Sequence, residues 1–226
     1  MLLLPYLYDI TFNIPEGVEV PVTLNILALI TVIQTSLFMA IASWGGVALA
    51  KRCGLPYQVS FRLAWKSLIK YASFGIVIGL VLLLIDYGFH LLGVSLTFFT
   101  ASLPVWWKGL LASFYGGWGE ELLLRFFLVA LFSRLLMYLS GQKLIASQWI
   151  KLVSVFVAAF LFDIGHLPAA SAMTDLTTIV ILRVIILNSV GGIAFGLIYL
   201  KKGFLPAVVT HFFADLILQV MVPIMI

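Results

Sequence analysis

Charge is scarce in this sequence. Asp, Glu, Lys and Arg together make up 10% of its 226 residues, against roughly 25% in soluble globular domains. Hydrophobic residues account for 63%, and the mean hydropathy is +1.19. That balance excludes a soluble fold, and apolar runs longer than ~18 residues read as transmembrane helices. Cysteine is nearly missing as well. Cys53 is the only one, which excludes an intrachain disulfide and a cysteine-based metal site. There is no long polar linker, low-complexity tract or convincing internal repeat, so nothing suggests a second domain. Histidine occurs three times, and any chemistry that needs imidazole must draw on His90, His166 or His211.

What is present organises itself as a membrane bundle. A backbone in lipid must satisfy its own hydrogen bonds, so each apolar run is expected to be helical. The runs cover residues 22–50, 71–94, 107–138, 152–171, 178–200 and 204–226. The expected fold is all-α and polytopic, with about six transmembrane helices around a buried polar site. Residues 1–106 hold an N-terminal segment and the first two spans, and residues 107–226 hold the other four, within a single domain overall. The opening MLLLPYLYDI is apolar, but it lacks a basic flank and is broken by Pro5. It is expected to be a short interfacial segment rather than a cleaved signal peptide.

The loops predict an orientation. Ten of the 13 Lys and Arg fall in the first, third and fifth connections or their edges. By the positive-inside rule those basic loops are cytoplasmic, in a multi-pass protein of the cell membrane. The same distribution accounts for the sequence pI of 9.2 without a nucleic-acid partner. Residues 58–71, QVSFRLAWKSLIKY, mix basic and apolar side chains and are expected to lie along the interface before the second span.

Ionisable side chains at membrane depth cost at least ~2.5–3.5 kcal/mol each on insertion scales, so they mark function or a specific pairing. Outside the loops they are Glu120, Glu121 and Arg125 in the third span, Asp163 and His166 in the fourth, Arg183 in the fifth, and His211 and Asp215 in the sixth, with the polar Asn188 also in the fifth. Asp86 and His90 fall near the outer end of the second span, where interfacial solvation is a sufficient explanation. Glu120 and Glu121 project about 100° apart on a helix and therefore cannot share a role. Glu121 and Arg125 are spaced i, i+4 in the favourable order for an ion pair. Glu120 is left without a local counter-charge, which suits a general base. Asp163 and His166 are spaced to hydrogen-bond and fix an imidazole tautomer, while Gly165 and Pro168 suggest an irregular helix end there. His211 and Asp215 form another i, i+4 pair.

Together Glu120-Glu121-x-x-x-Arg125, Phe162-x-x-x-His166 and His211-x-x-x-Asp215 resemble the signature of the CPBP family. These are CAAX-protease and bacteriocin-processing membrane proteins related to the type II CAAX prenyl endopeptidase. The resemblance covers roughly residues 107–220. It implies an intramembrane endopeptidase acting on a peptide or protein substrate at the bilayer. Glu120 would activate water, His166 would position or polarise it, His211 with Asp215 would face the oxyanion, and Glu121–Arg125 would support them. Asp215 departs from the Asn common at this place in prenyl proteases. An ionised carboxylate cannot donate a hydrogen bond, so Asp215 is expected to keep His211 protonated and oriented. The departure also argues against assuming a prenylated substrate. No cofactor is expected. The alternatives are a zinc metalloprotease using the same residues, a non-catalytic immunity or assembly factor, and a proton-coupled transporter, which no inverted repeat supports. His166 falls nearer the outer end of its span than His211 does, so convergence requires the fourth span to begin later or to tilt.

Overall fold

The computed structural model describes residues 24–59, 63–95, 97–99 and 105–225. The interfacial segment expected at the amino terminus lies outside them. The described residues form six long helices: α1 (Leu24–Cys53), α2 (Trp65–Leu91), α3 (Trp106–Leu139), α4 (Gln148–Ser171), α5 (Thr178–Lys202) and α6 (Phe204–Met225). Each is long and apolar enough to cross a membrane, and no strand occurs among the described residues. The chain is an all-α, multi-pass membrane protein.

Two expectations about helix ends change. α2 starts at Trp65, so Trp65–Tyr71 are continuous with the helix of the second span. No Gly or Pro interrupts those residues, so nothing breaks the helix there. Residues 60–62 lie outside the described part. α4 begins earlier than expected and runs through Gly165 and Pro168 to Ser171 without an irregular end. Pro168 falls in the last turns of α4, where its missing N–H costs one intrahelical bond and the rest of the ladder is kept.

The three basic connections meet at one end of the bundle. Ala146 N–H donates to Cys53 O at 3.1 Å, the Lys151 ammonium donates to Gly54 O at 3.1 Å, and the buried Tyr199 hydroxyl donates to Pro56 O at 2.8 Å. Beneath them lies the main apolar core, built from residues such as Phe126, Val129, Met137, Ile150, Tyr199 and Phe204. A smaller core of Val94, Ala170, Val180 and Val184 sits toward the opposite end. α1 packs along α3, where Gly45 and Gly46 admit the rings of Phe127 and Phe126. Its remaining face exposes Leu29, Ile33, Leu37 and Trp44, the surface lipid covers.

Close helix approach sets the register of α6. A side chain at Gly75 of α2 would collide with Thr210 O, and one at Gly79 would stand 2.8 Å from Ala214 O. Small residues that let backbones touch are the usual means of association in lipid. The turn from α5 to α6 is a single residue, Gly203, at φ 92°. Residues with a Cβ disfavour that conformation, and the tight turn holds α6 against its predecessor.

Candidate active site

α3 is not a uniform helix. Gly116–Glu120 and Leu122–Leu128 are π-helical, with ordinary α-helix before and after. Such turns widen the helix and recur at functional sites. They bring Glu120, Glu121 and Arg125 toward α6, where His211 is buried and Asp215 follows one turn later.

His211 is the hub of the cluster. Its Nδ1 lies 2.9 Å from Glu121 Oε1; because a carboxylate only accepts, the ring nitrogen donates. Nε2 points the other way, 3.9 Å from Glu120 Oε2 and 3.6 Å from Asp215 Oδ1. Neither distance is a hydrogen bond, so both carboxylates face the ring without being consumed by it. Phe195 of α5 stacks on the imidazole at 4.3 Å between centroids and 19° between planes. The same ring lies 5.7 Å from the Arg125 guanidinium carbon.

Glu121 does more than brace α3. Its Oε1 is also 3.1 Å from Arg125 Nη1, so one fully buried oxygen serves Arg125 and His211 together. Arg125 reaches across to α5, where Nη2 donates to Gly192 O at 2.8 Å. The orientation of His211 was expected to come from Asp215. In the structure the hydrogen-bonded partner is Glu121, because Asp215 sits at 3.6 Å on the opposite ring nitrogen.

Accessibility separates the two glutamates. The side chain of Glu120 retains 21% exposure and that of Glu121 none. Space for the cluster is made by Gly116. A Cβ there would collide with Asp215 Oδ2 and stand 3.4 Å from His211 Nε2.

The structure brings together Glu120, Glu121, Arg125, His211 and Asp215, and leaves His166 apart. Among the described residues no ion-pair contact involves His166. Ala159 of α4 packs on Gly192, and His166 lies two turns, about 10 Å, farther along the helix. The early start of α4 leaves the expected depth difference in place. Nor does Asp163 orient the ring. His166 Nδ1 donates to Phe162 O at 2.9 Å, which leaves Nε2 as the acceptor nitrogen. Asp163 instead accepts from Ser189 at 2.5 Å.

Three polar residues of the spans belong elsewhere. Asp86 is completely buried rather than solvated at an interface. It accepts from Arg183 Nε at 2.6 Å and from the Phe98 amide at 2.7 Å, forming an ion pair between α2 and α5. Asn188 donates to Val184 O within its own helix.

Sequence reasoning missed Phe195, Gly192 and Gly116. The Gly116-Gly117-x-Gly119 run just before the glutamates was a legible sign of close backbone approach. Phe195 carried no signal among 18 phenylalanines. Among the described residues, no three His, Cys, Asp or Glu side chains are arranged to hold a metal ion.

Comparisons with curated proteins and with solved structures gave no significant match. Comparison with protein families matches residues 102–217 to the family described as Type II CAAX prenyl endopeptidase Rce1-like. That stretch is more than half of the chain and includes all the residues discussed above as candidates for the chemistry. The chain belongs to the type II CAAX prenyl endopeptidase Rce1-like family.

Proposed function

We propose that the chain is a glutamate-type intramembrane endopeptidase that hydrolyses a peptide bond of a membrane-associated or membrane-delivered substrate. Family membership supports a membrane endopeptidase in general. The observation that carries the finer reading is the two-sided environment of His211. Its Nδ1 is engaged by Glu121, while its Nε2 faces the unengaged carboxylates of Glu120 and Asp215.

In this reading Glu120 is the general base. It is the most accessible carboxylate of the cluster and makes no hydrogen bond to His211. Glu120 removes a proton from water, and the resulting hydroxide adds to the carbonyl carbon of the scissile bond. The carbonyl π pair moves onto oxygen, where an N–H on His211 Nε2 donates to the oxyanion. Collapse of this intermediate breaks the C–N bond, and Glu120 returns its proton to the leaving amine. Asp215 faces the same ring nitrogen and keeps it directed into the site. Glu121 and Phe195 hold the imidazole, and Arg125 ties that assembly to α5. His166 stands apart from this cluster, with Nδ1 held by the Phe162 carbonyl, so a water-positioning role for its Nε2 requires α4 to approach α6.

The test compares membrane peptides from cells producing the wild-type chain, Glu120→Gln, or neither. The expected result is a set of cleavage products present only with wild type, although the variant accumulates to the same level. Products that persist in Glu120→Gln overturn the role of Glu120. A biological activity that survives in Glu120→Gln without cleavage favours a non-catalytic membrane factor.

A further inference from the structure

At the basic-loop end, α2 and α5 line a half-open cavity of about 180 Å³ that the proposed chemistry does not use. Its wall is apolar and aromatic, formed by Tyr71 and Phe74 of α2 with Leu197 and Ile198 of α5. Three lysines complete the lining: Lys70 of α2, and Lys201 and Lys202 in the last turn of α5. The Lys70 ammonium lies 5.7 Å from the Phe74 ring centroid and 6.0 Å from that of Tyr71. These are cation–π distances that favour its position beside the cavity. Among the described residues, no carboxylate lies within ion-pair distance of any of the three ammonium groups.

The arrangement is layered. Lys70 stands one turn before Phe74, and Lys201 and Lys202 one turn after Leu197 and Ile198. Three lysines with no carboxylate partner among the described residues therefore stand at the end of an apolar wall that descends into the span. A free phosphate accounts for the charges but not for the aromatic and aliphatic wall. A lipid with an anionic headgroup accounts for both, and basic pockets between transmembrane helices bind such headgroups.

We propose that this cavity is a binding site for one anionic phospholipid. Its phosphate sits among Lys70, Lys201 and Lys202, and the start of an acyl chain lies along Tyr71, Phe74, Leu197 and Ile198. One wall of the site, α2, packs on the helix that carries His211. Tyr71 lies one turn before Gly75, whose backbone packs on Thr210, so a lipid seated here supports the contact between α2 and α6.

Native mass spectrometry of the delipidated full chain in detergent, titrated with phosphatidylglycerol or phosphatidylcholine, tests the proposal. The expected result is one tightly held phosphatidylglycerol per chain, preferred at least tenfold over phosphatidylcholine. The triple variant Lys70→Ala/Lys201→Ala/Lys202→Ala should lose at least tenfold in that affinity, and the triple Lys→Arg variant should keep it. Arg134→Ala/Lys143→Ala, at the same end but outside the cavity, should bind as wild type. Equal affinity for the two lipids overturns the proposal, as does equal loss in the Arg134/Lys143 control. So does complete displacement by equimolar inorganic phosphate, which would identify a simple anion site. Glu120→Gln should bind lipid normally, so this result is independent of whether the chain cleaves peptides.

Discussion

Glu121 offers the sharpest test of how the site is built, because one buried oxygen serves two partners. It lies 3.1 Å from Arg125 and 2.9 Å from His211, and neither Glu121 nor Arg125 is appreciably exposed. Replacing Glu121 with Met removes the counter-charge and strands Arg125 in an apolar bundle. Breaking a buried pair from one side costs about 3–5 kcal/mol, and at roughly 2–4 °C per kcal/mol for a chain of this size the midpoint should fall by about 6–20 °C. The double variant Glu121→Met/Arg125→Met removes both charges with side chains of comparable length. An apolar replacement of a whole buried pair is often neutral or stabilising, so most of the lost stability should return. Activity should not return with it. His211 would still lack its Nδ1 acceptor, and misdirecting an oxyanion donor costs on the order of 10²–10³-fold in kcat. The assay pairs thermal unfolding in detergent with cleavage of a peptide released by the wild-type chain. A double variant that regains stability and turnover together refutes the assignment, because Glu121 would then be only half of a brace.

Other expectations follow from the same geometry. Phe195→Leu should lower kcat about tenfold with little change in KM, since the ring stacks on His211 but stands outside the cluster of carboxylates; an unchanged kcat removes it as a positioning residue. Gly116→Ala should reduce cleavage strongly while leaving the protein folded, because the added methyl falls on Asp215 Oδ2; wild-type turnover would show that this space is unimportant. Asp86→Ala strands Arg183 and should cost about 3–5 kcal/mol of stability, yet the folded fraction should cleave at the normal rate, as read by activity normalised to folded protein. Dialysis against a strong chelator should leave cleavage intact under the glutamate reading; loss of activity that Zn²⁺ restores would favour the metal-dependent alternative.

The contrast between what the sequence revealed and what it hid has a physical origin. Six spans were legible because the cost of burying charge in lipid acts residue by residue along the chain, and no tertiary knowledge is needed to read it. Ion pairs within one helix were legible for a similar reason: the spacing of Glu121 and Arg125 predicts their contact at 3.1 Å. Contacts between helices were not. Asp86 looked solvated because its position near a helix end is all that one helix reveals, whereas its partner Arg183 comes from another span. His211 has an i, i+4 neighbour in Asp215, but that local spacing does not reveal its hydrogen-bonded partner. The closer partner, Glu121, is distant in sequence and is delivered by the widened π-helical turn of α3.

The same reasoning bears on His166. Its place in the candidate site came from family resemblance, and α4 carries it two turns past the Ala159–Gly192 contact that lies beside Arg125. A role in water activation therefore requires the outer part of α4 to approach α6 when substrate binds. The hydrogen bond to Phe162 O already fixes the ring within its own helix, so the movement must be one of helix against helix rather than of the side chain. Cross-linking His166→Cys to Val208→Cys, or to a cysteine placed at Phe212, in the Glu120→Gln background with bound substrate, measures that approach. Trapping that rises at least tenfold with substrate supports a closing site. Trapping that is absent with and without substrate leaves the chemistry to Glu120 and His211, and His166→Ala should then retain most of the cleavage rate.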